Sequence, residues 1–147
     1  MTKVCIASDH HGFNVKNKII KYLTKKNYEV IDLGPDNYYM VDYPIYAKKV
    51  GNFIASKQAD FGILICATGI GMSMACNRIK GVRCAHVDNE MDAKHTRLDN
   101  DANVVAFSSN LRMYKIYDII DTFLATKFSN EERHIRRIKM IDEDLND

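Results

Sequence analysis

The residues of this chain best suited to chemistry gather in one short stretch, where a cysteine is followed by a glycine-rich turn. Cys66 ends a continuous apolar run, and Thr68, Gly69 and Gly71 come directly after it, ahead of a segment with helical spacing. Backbone N–H groups and the positive end of a helix dipole point out of such a turn and favour an anion. The same surroundings stabilise a cysteine thiolate. The stretch therefore predicts a reactive thiolate beside a site for a phosphate or for an oxyanion formed during reaction.

The other three cysteines are expected to have a structural role. Cys5, Cys76 and Cys84 stand within apolar segments and are expected to be small core residues. The four cysteines form no CxxC pair and have no regular spacing, so neither a disulfide framework nor a structural zinc site is predicted. The expected compartment is a reducing cytosol.

A second polar group, Asp9-His10-His11-Gly12, follows the first predicted strand. An Asp-His pair at a strand's end can relay a proton or bind a phosphate, and the aspartate can equally cap the next helix. A metal site is the weaker interpretation, because adjacent histidines diverge and no third ligand is indicated. A single glycine excludes the dinucleotide-binding fingerprint, and the phosphate loop of nucleotide hydrolases is absent.

The last predicted helix carries a basic cluster and an apolar stripe. Arg133 and Arg137 stand four residues apart and therefore share one face. Two arginines so placed can clamp a phosphate through forked hydrogen bonds, and a solvated basic face explains them equally well. Ile135, Ile138 and Ile141 need a surface to cover them, which predicts at least a homodimer.

The elements that must position these residues alternate along the whole chain. Apolar runs predict strands at 4–7, 28–33, 61–66, 82–87 and 104–107. Helical spacing predicts helices at 13–25, 44–54, 72–79, 91–98, 111–125 and 131–145. This alternation is typical of an α/β fold, in which helices cover both faces of a five-stranded parallel sheet and an extended helix ends the chain. Without repeats or linkers, residues 1–147 are expected to form one domain.

Ligands of such a sheet bind at the carboxyl ends of the strands, where the strand order reverses. We expect the loops after the first and third strands to meet there, together with the segment 99–101 that precedes the fifth strand. A formal charge of +2 does not indicate a nucleic-acid surface. No apolar run is long enough to span a bilayer, and the first one is too short for a signal peptide.

Five motifs, at matching spacing, resemble the type B ribose-5-phosphate isomerases, a family that includes the subunits of galactose-6-phosphate isomerase. The motifs are Ser8-Asp9-His10-x-Gly12-Phe13, Asp42-Tyr43-Pro44, the stretch 62–71, Asn100-Asp101-Ala102-Asn103-Val104, and Arg133-His134-x-x-Arg137. The resemblance covers the whole chain and implies a Rossmann-like three-layer sandwich. It also implies an enzyme of the pentose phosphate pathway that interconverts ribose 5-phosphate and ribulose 5-phosphate through a cis-enediol. The family uses neither a metal nor an organic cofactor, and it builds its sites at the interface of a dimer, or of a dimer of dimers.

The resemblance further implies a role for each matching residue. Cys66 would be the base at carbon 2 of the sugar, Thr68 would assist the proton transfer, and Asp9 would lie beside the sugar as a third catalytic residue. The residues that would bind the enediolate oxygen, the sugar or the phosphate are His10, Tyr43, Ala67, Gly69, Ile70, Gly71, Asn100, Arg133 and Arg137.

Three positions depart from the family pattern. Asp99 stands where the family has a histidine credited with opening the sugar ring, Asn110 where it has an arginine on the phosphate, and Ala67 where it has a glycine. Ring opening then falls to Asp99 or to His95 one helical turn earlier, and Arg112 is the candidate for the missing phosphate contact. Two alternatives stay open: a six-carbon substrate such as galactose or allose 6-phosphate, and a catalytically silent sugar-phosphate-binding protein.

Overall fold

A computed structural model describes residues 1–144, and these form an α/β fold around one parallel sheet. The strands are β1 (Lys3–Ser8), β2 (Glu29–Asp32), β3 (Phe61–Cys66), β4 (Cys84–His86) and β5 (Val104–Ser108). The helices are α1 (Phe13–Lys25), α2 (Tyr43–Ala55), α3 (Ile70–Cys76), α4 (Glu90–Asn100), α5 (Met113–Ala125) and α6 (Glu132–Asp142). The strand order is β2-β1-β3-β5-β4, with every neighbouring pair parallel. The predicted five-stranded parallel sheet is confirmed.

Both faces of the sheet are covered, which explains why the apolar run of β3 does not alternate. Successive residues of a strand point to opposite faces, and both Ile63 and Leu64 are fully buried. Ile63 belongs to the core that α1, α4 and α5 cover, whereas Leu64 belongs to the core that α2 and α3 cover. The result is a three-layer sandwich. None of the described helices has the length and apolar character needed to cross a bilayer.

The bounds of β4 and α3 differ from those predicted at 82–87 and 72–79. β4 lies at the edge of the sheet, pairs with β5 alone and covers only Cys84–His86. Helix α3 begins earlier because Gly69 turns the chain with a φ of +81°. It ends at Cys76, after which the side chain of Asn77 bonds to the backbone N–H and C=O of Cys84. The predicted end of the last helix, Leu145, lies outside the described residues.

The strand order reverses between β1 and β3, because the chain leaves β1 towards β2 on one side and leaves β3 towards β5 and β4 on the other. Ser8 pairs with Ile65, and the N–H of Asp9 bonds to the carbonyl of Ile65. The loop that begins at Asp9 and the loop that follows Cys66 therefore meet at one crevice, as predicted. Parallel sheets bind their ligands in such a crevice.

Candidate active site

The thiol of Cys66 lies at the centre of this crevice, at the carboxyl end of the central strand β3. The residue is only 5% exposed, and its Sγ accepts a hydrogen bond of 3.0 Å from the backbone N–H of Gly69. An N–H donor aimed at sulfur favours the thiolate over the thiol. The arrangement is therefore suited to a base or a nucleophile.

Packing against β5 and a hydrogen bond within the loop hold the turn that supplies this N–H. Gly69 has a left-handed backbone, and a Cβ added to it would lie 2.7 Å from Cα of Phe107, so no other residue fits without displacing β5. The hydroxyl of Thr68 accepts a hydrogen bond of 3.1 Å from the N–H of Ile70. Both residues hold the loop in the conformation that points an amide at Cys66.

The surroundings of two other cysteines favour the neutral thiol. Burial raises the pKa of Cys5 to about 12. Two effects raise the pKa of Cys84 well above its ordinary value: the larger is a hydrogen bond with Cys76, and the smaller is burial. Both groups are therefore neutral thiols at physiological pH, as expected for structural cysteines.

In the loop after β1, Asp9 holds the ring of His11, and a backbone N–H holds the ring of His10. Asp9 is 5% exposed; its Oδ1 accepts the N–H of Gly12 at 3.1 Å, and its Oδ2 lies 3.2 Å from Nδ1 of His11. Possible ligand atoms of Asp9, His10 and His11 lie within 4.8 Å of one another, so Asp9 is a possible third ligand that the sequence alone did not indicate. However, Nδ1 of His10 accepts the N–H of Val41 at 3.3 Å. Neutral His10 then carries its proton on Nε2, which suits a hydrogen bond to an anion better than a metal ion.

Tyr43 reaches the same crevice from the first turn of α2. A Cβ at Gly71 would lie 2.6 Å from the Tyr43 ring, so the glycine allows the ring to pack against the start of α3. Tyr43 is 41% exposed and is open to a ligand. We call Asp9, His10, Tyr43 and the loop residues Cys66, Ala67, Thr68, Gly69, Ile70 and Gly71 the carboxyl-edge group.

Three side chains that hold the Cys66 loop were not predicted from the sequence to do so. Ser108 donates to the carbonyl of Ala67 at 2.6 Å, and Nε2 of His86 lies 2.9 Å from the carbonyl of Thr68. Asn110, noted only for the arginine it replaces, bonds to the carbonyl of Ala67 at 3.4 Å. All three follow or end β4 and β5. Only the strand order, which the sequence does not display, brings them to this loop.

The segment 99–101 was expected to meet the loops that follow β1 and β3, and this prediction was wrong for a single chain. A residue that precedes a parallel strand lies at the amino edge of the sheet. The N–H of Gly62, near the start of β3, donates to the carbonyl of Asn103 at 2.9 Å, so this loop lies level with Gly62. Cys66 is four residues further along β3, a distance of about 13 Å.

Asp99 contacts His134 of α6 and not His95, the other candidate for ring opening. Its Oδ1 lies 3.4 Å from Nε2 of His134, a residue that is 8% exposed. The same Nε2 lies 3.3 Å from a carboxylate oxygen of Glu131. His95 points to solvent one turn earlier on α4. The aspartate at the ring-opening position thus has a buried imidazole beside it.

The remaining predicted binding residues lie on α4, next to Asp99 in the chain, and on α6, whose His134 contacts Asp99. Arg83 fixes the end of α4 by donating to the carbonyl of Asn100 at 3.1 Å. Arg133 is exposed and pairs with Glu131 at 2.9 Å, and Arg137 is exposed one turn along α6. We call Asp99, Asn100, Arg133 and Arg137 the amino-edge group.

Comparison with known proteins defines the class of this α/β chain. The profile of the Ribose/Galactose Isomerase family matches residues 4–141. A solved ribose 5-phosphate isomerase from Thermotoga maritima is 46% identical and superposes with a TM-score of 0.93, covering 97% of this chain and 99% of its own. Ribose-5-phosphate isomerase B of Escherichia coli is 37% identical over 96% of this chain and 95% of its own length.

A further solved relative carries a ligand. Ribose-5-phosphate isomerase B of Mycoplasma genitalium, solved with bound ribulose-5-phosphate, is 39% identical, has a TM-score of 0.90 and covers 95% of this chain and 93% of its own. The matches span nearly the full length of both partners in each comparison. This chain belongs to the Ribose/Galactose Isomerase family.

Proposed function

We propose that residues 1–147 form one isomerase domain that interconverts ribose 5-phosphate and ribulose 5-phosphate. The observation that carries the proposal is the buried Cys66 thiol, which receives a loop N–H at 3.0 Å where the strand order reverses. The relative from Mycoplasma genitalium with bound ribulose-5-phosphate supports the choice of substrate. Because the base must be a reduced thiol, the expected location is the cytosol.

In the proposed mechanism, the Cys66 thiolate removes the proton from carbon 2 of the open-chain aldose. The electron pair forms the C1–C2 double bond, and the charge moves to the oxygen on carbon 1, where loop N–H groups stabilise it. Thr68 assists the proton exchange between the oxygens on carbons 1 and 2. The Cys66 thiol then returns its proton to carbon 1, which gives the ketose and regenerates the thiolate.

We propose further that the site forms between two copies of the chain. The carboxyl-edge and amino-edge groups lie at opposite edges of one sheet. A two-fold dimer can place the carboxyl-edge group of each copy against the amino-edge group of the other copy. Exposed apolar side chains support this arrangement, because a monomer would leave them in water. They include Tyr38, Tyr39, Met40, Ile45, Ile70 and Met74 near the carboxyl edge and Ile135 and Ile141 on α6.

Turnover of ribose 5-phosphate, measured beside allose 6-phosphate and galactose 6-phosphate, tests the proposed activity. We expect the largest kcat/KM for ribose 5-phosphate. A higher value for either six-carbon sugar would reassign the substrate within the same family. Binding of all three sugars without turnover would identify a sugar-phosphate-binding protein instead.

Arg137→Ala is expected to raise the KM for ribose 5-phosphate by roughly tenfold or more, with little change in kcat. The reason is that a charge-assisted contact to the phosphate contributes on the order of 1.5–3 kcal/mol equally in the ground and transition states. Steady-state kinetics measure both constants. Lys139→Ala is the matched control, because Lys139 is an exposed cation on the opposite face of α6. If the two variants behave alike, Arg137 belongs to a solvated face.

Asp99→Asn is expected to lower turnover of ribose 5-phosphate by roughly tenfold or more, within the usual range for an acid–base group. A closed furanose must open before carbon 2 becomes acidic, and we propose that Asp99 passes a proton from His134 to the ring oxygen. Ribulose 5-phosphate cannot close a five-membered ring, so its conversion should suffer less. Kinetics in both directions at saturating substrate measure the difference.

His95→Ala is the control for this prediction, because the solvent-facing His95 is expected to leave both directions unchanged. Equal losses in the two directions for Asp99→Asn, or a loss for His95→Ala as large as that for Asp99→Asn, would remove Asp99 from ring opening.

A further inference from the structure

His86, the last residue of β4, makes a directional contact with the Cys66 loop. Its Nε2 lies 2.9 Å from the carbonyl oxygen of Thr68. A carbonyl oxygen can only accept a hydrogen bond, so Nε2 carries a proton and donates it. The side chain of His86 is 30% exposed, so its contact with the loop does not result from burial in the core.

The carbonyl of Thr68 and the N–H of Gly69 belong to the same peptide group. His86 therefore donates to one end of this peptide, and the other end donates to Sγ of Cys66 at 3.0 Å. We propose that His86 is a positioning residue that stabilises the Cys66 thiolate through the Thr68–Gly69 peptide. The inference adds a residue to the catalytic machinery and rests on the proposed role of Cys66 as the base.

Two physical effects produce this stabilisation. A hydrogen bond to the carbonyl polarises the peptide and makes its N–H a stronger donor, by about 10–30% per bond in a chain. The same bond fixes the orientation of the peptide. Because Gly69 has no Cβ to oppose rotation of the preceding peptide plane, a flip of this peptide would turn its carbonyl towards the sulfur and repel the thiolate. His86 favours the orientation that places the N–H there.

Other titratable groups at this edge bear on the thiolate too. Asp88 lies 3.9 Å from Nε2 of His86, close enough to compete weakly for its proton. Asp9 follows Ser8, the last residue of β1, which pairs with Ile65, so Asp9 lies level with Cys66 just past the end of the neighbouring strand. Tyr43 packs against Gly71. These groups are the same in every variant of His86, so a difference between variants reports the contribution of His86 alone.

The experiment compares His86→Phe, which removes the donor, with His86→Gln, whose amide nitrogen can take the place of Nε2. The rate of alkylation by iodoacetamide is measured against pH in the full-length protein, with Cys66→Ala as the blank for other thiols. For His86→Phe we expect the midpoint to rise by about 0.5 pH unit, with a roughly threefold lower rate at pH 7. His86→Gln should restore both values, and kcat should follow the same order.

The inference is overturned if His86→Phe has the midpoint of the native chain, or if a folded His86→Gln behaves like His86→Phe. The ¹⁵N shifts of the His86 ring in the native chain add a test that needs no variant to fold, since a proton on Nδ1 alone would exclude the donor role. Alkylation and ring shifts require no sugar. They therefore remain decisive even if ribose 5-phosphate proves to be the wrong substrate.

Discussion

Cys66→Ala is expected to lower kcat for ribose 5-phosphate by ~10²–10⁴-fold, the usual contribution of a positioned base. No other residue of the 66–71 loop has a side chain that can accept a proton at neutral pH, apart from the weakly basic hydroxyl of Thr68. Binding of inorganic phosphate should remain near that of the native chain, because the proposed phosphate contacts are arginines of α6. Kinetics and calorimetry measure the two properties separately.

Cys84→Ala is the matched control for this variant. Cys84 lies in the same core cluster, but its raised pKa keeps it neutral, so its loss should leave kcat within about twofold of the native value. Retention of more than a tenth of native activity by Cys66→Ala would show that Cys66 is structural and that the proposed base is wrong. A parallel loss in Cys84→Ala would indicate a general effect of cavities in this core.

The sequence predicted the fold well where one strong signal decided each element. The bounds of β3 were predicted to the residue, because a strand buried on both faces needs an unbroken apolar run and the turn at Gly69 ends it. The length of β4 was overestimated: the strand covers only Cys84–His86, although the flanking Arg83 and Val87 each share a backbone hydrogen bond with the β5 segment. The start of α3 was predicted two residues too late. Glycines favour a loop, so Gly71 was assigned to the loop, although it lies inside the helix.

The detailed contacts of the site were predictable only where the partners are neighbours in sequence. The turn after Cys66 provides a thiol, an amide donor and a left-handed glycine within four residues, so spacing alone identified it. His86 and Ser108 reach the same turn only because β5 inserts between β3 and β4. The contact between Asp99 and His134 likewise depends on how α6 packs on α4. No local pattern encodes either arrangement.

The opposite-edge placement of the two groups leads to a sharp expectation for mixed dimers. Two parent proteins are needed, each with one group disabled: Cys66→Ala, and the double variant Arg133→Ala/Arg137→Ala. Loss of two charge-assisted phosphate contacts should lower kcat/KM of the double variant by on the order of 10²-fold or more. Both parents are therefore nearly inactive alone. Co-expression with different affinity tags allows the dimer that contains one chain of each kind to be isolated.

If each site takes its carboxyl-edge group from one chain and its amino-edge group from the other, one site of this mixed dimer carries both sets of substitutions. The other site carries none. One of two sites is then intact, and kcat/KM should recover to about half that of the native dimer. If each chain instead built its site from its own residues, every site would keep one lesion and the mixed dimer would stay as inactive as its parents. Light scattering checks that the isolated species is a dimer. Low activity in a confirmed mixed dimer would overturn the shared site without touching the assignment of Cys66, which its own single variant tests.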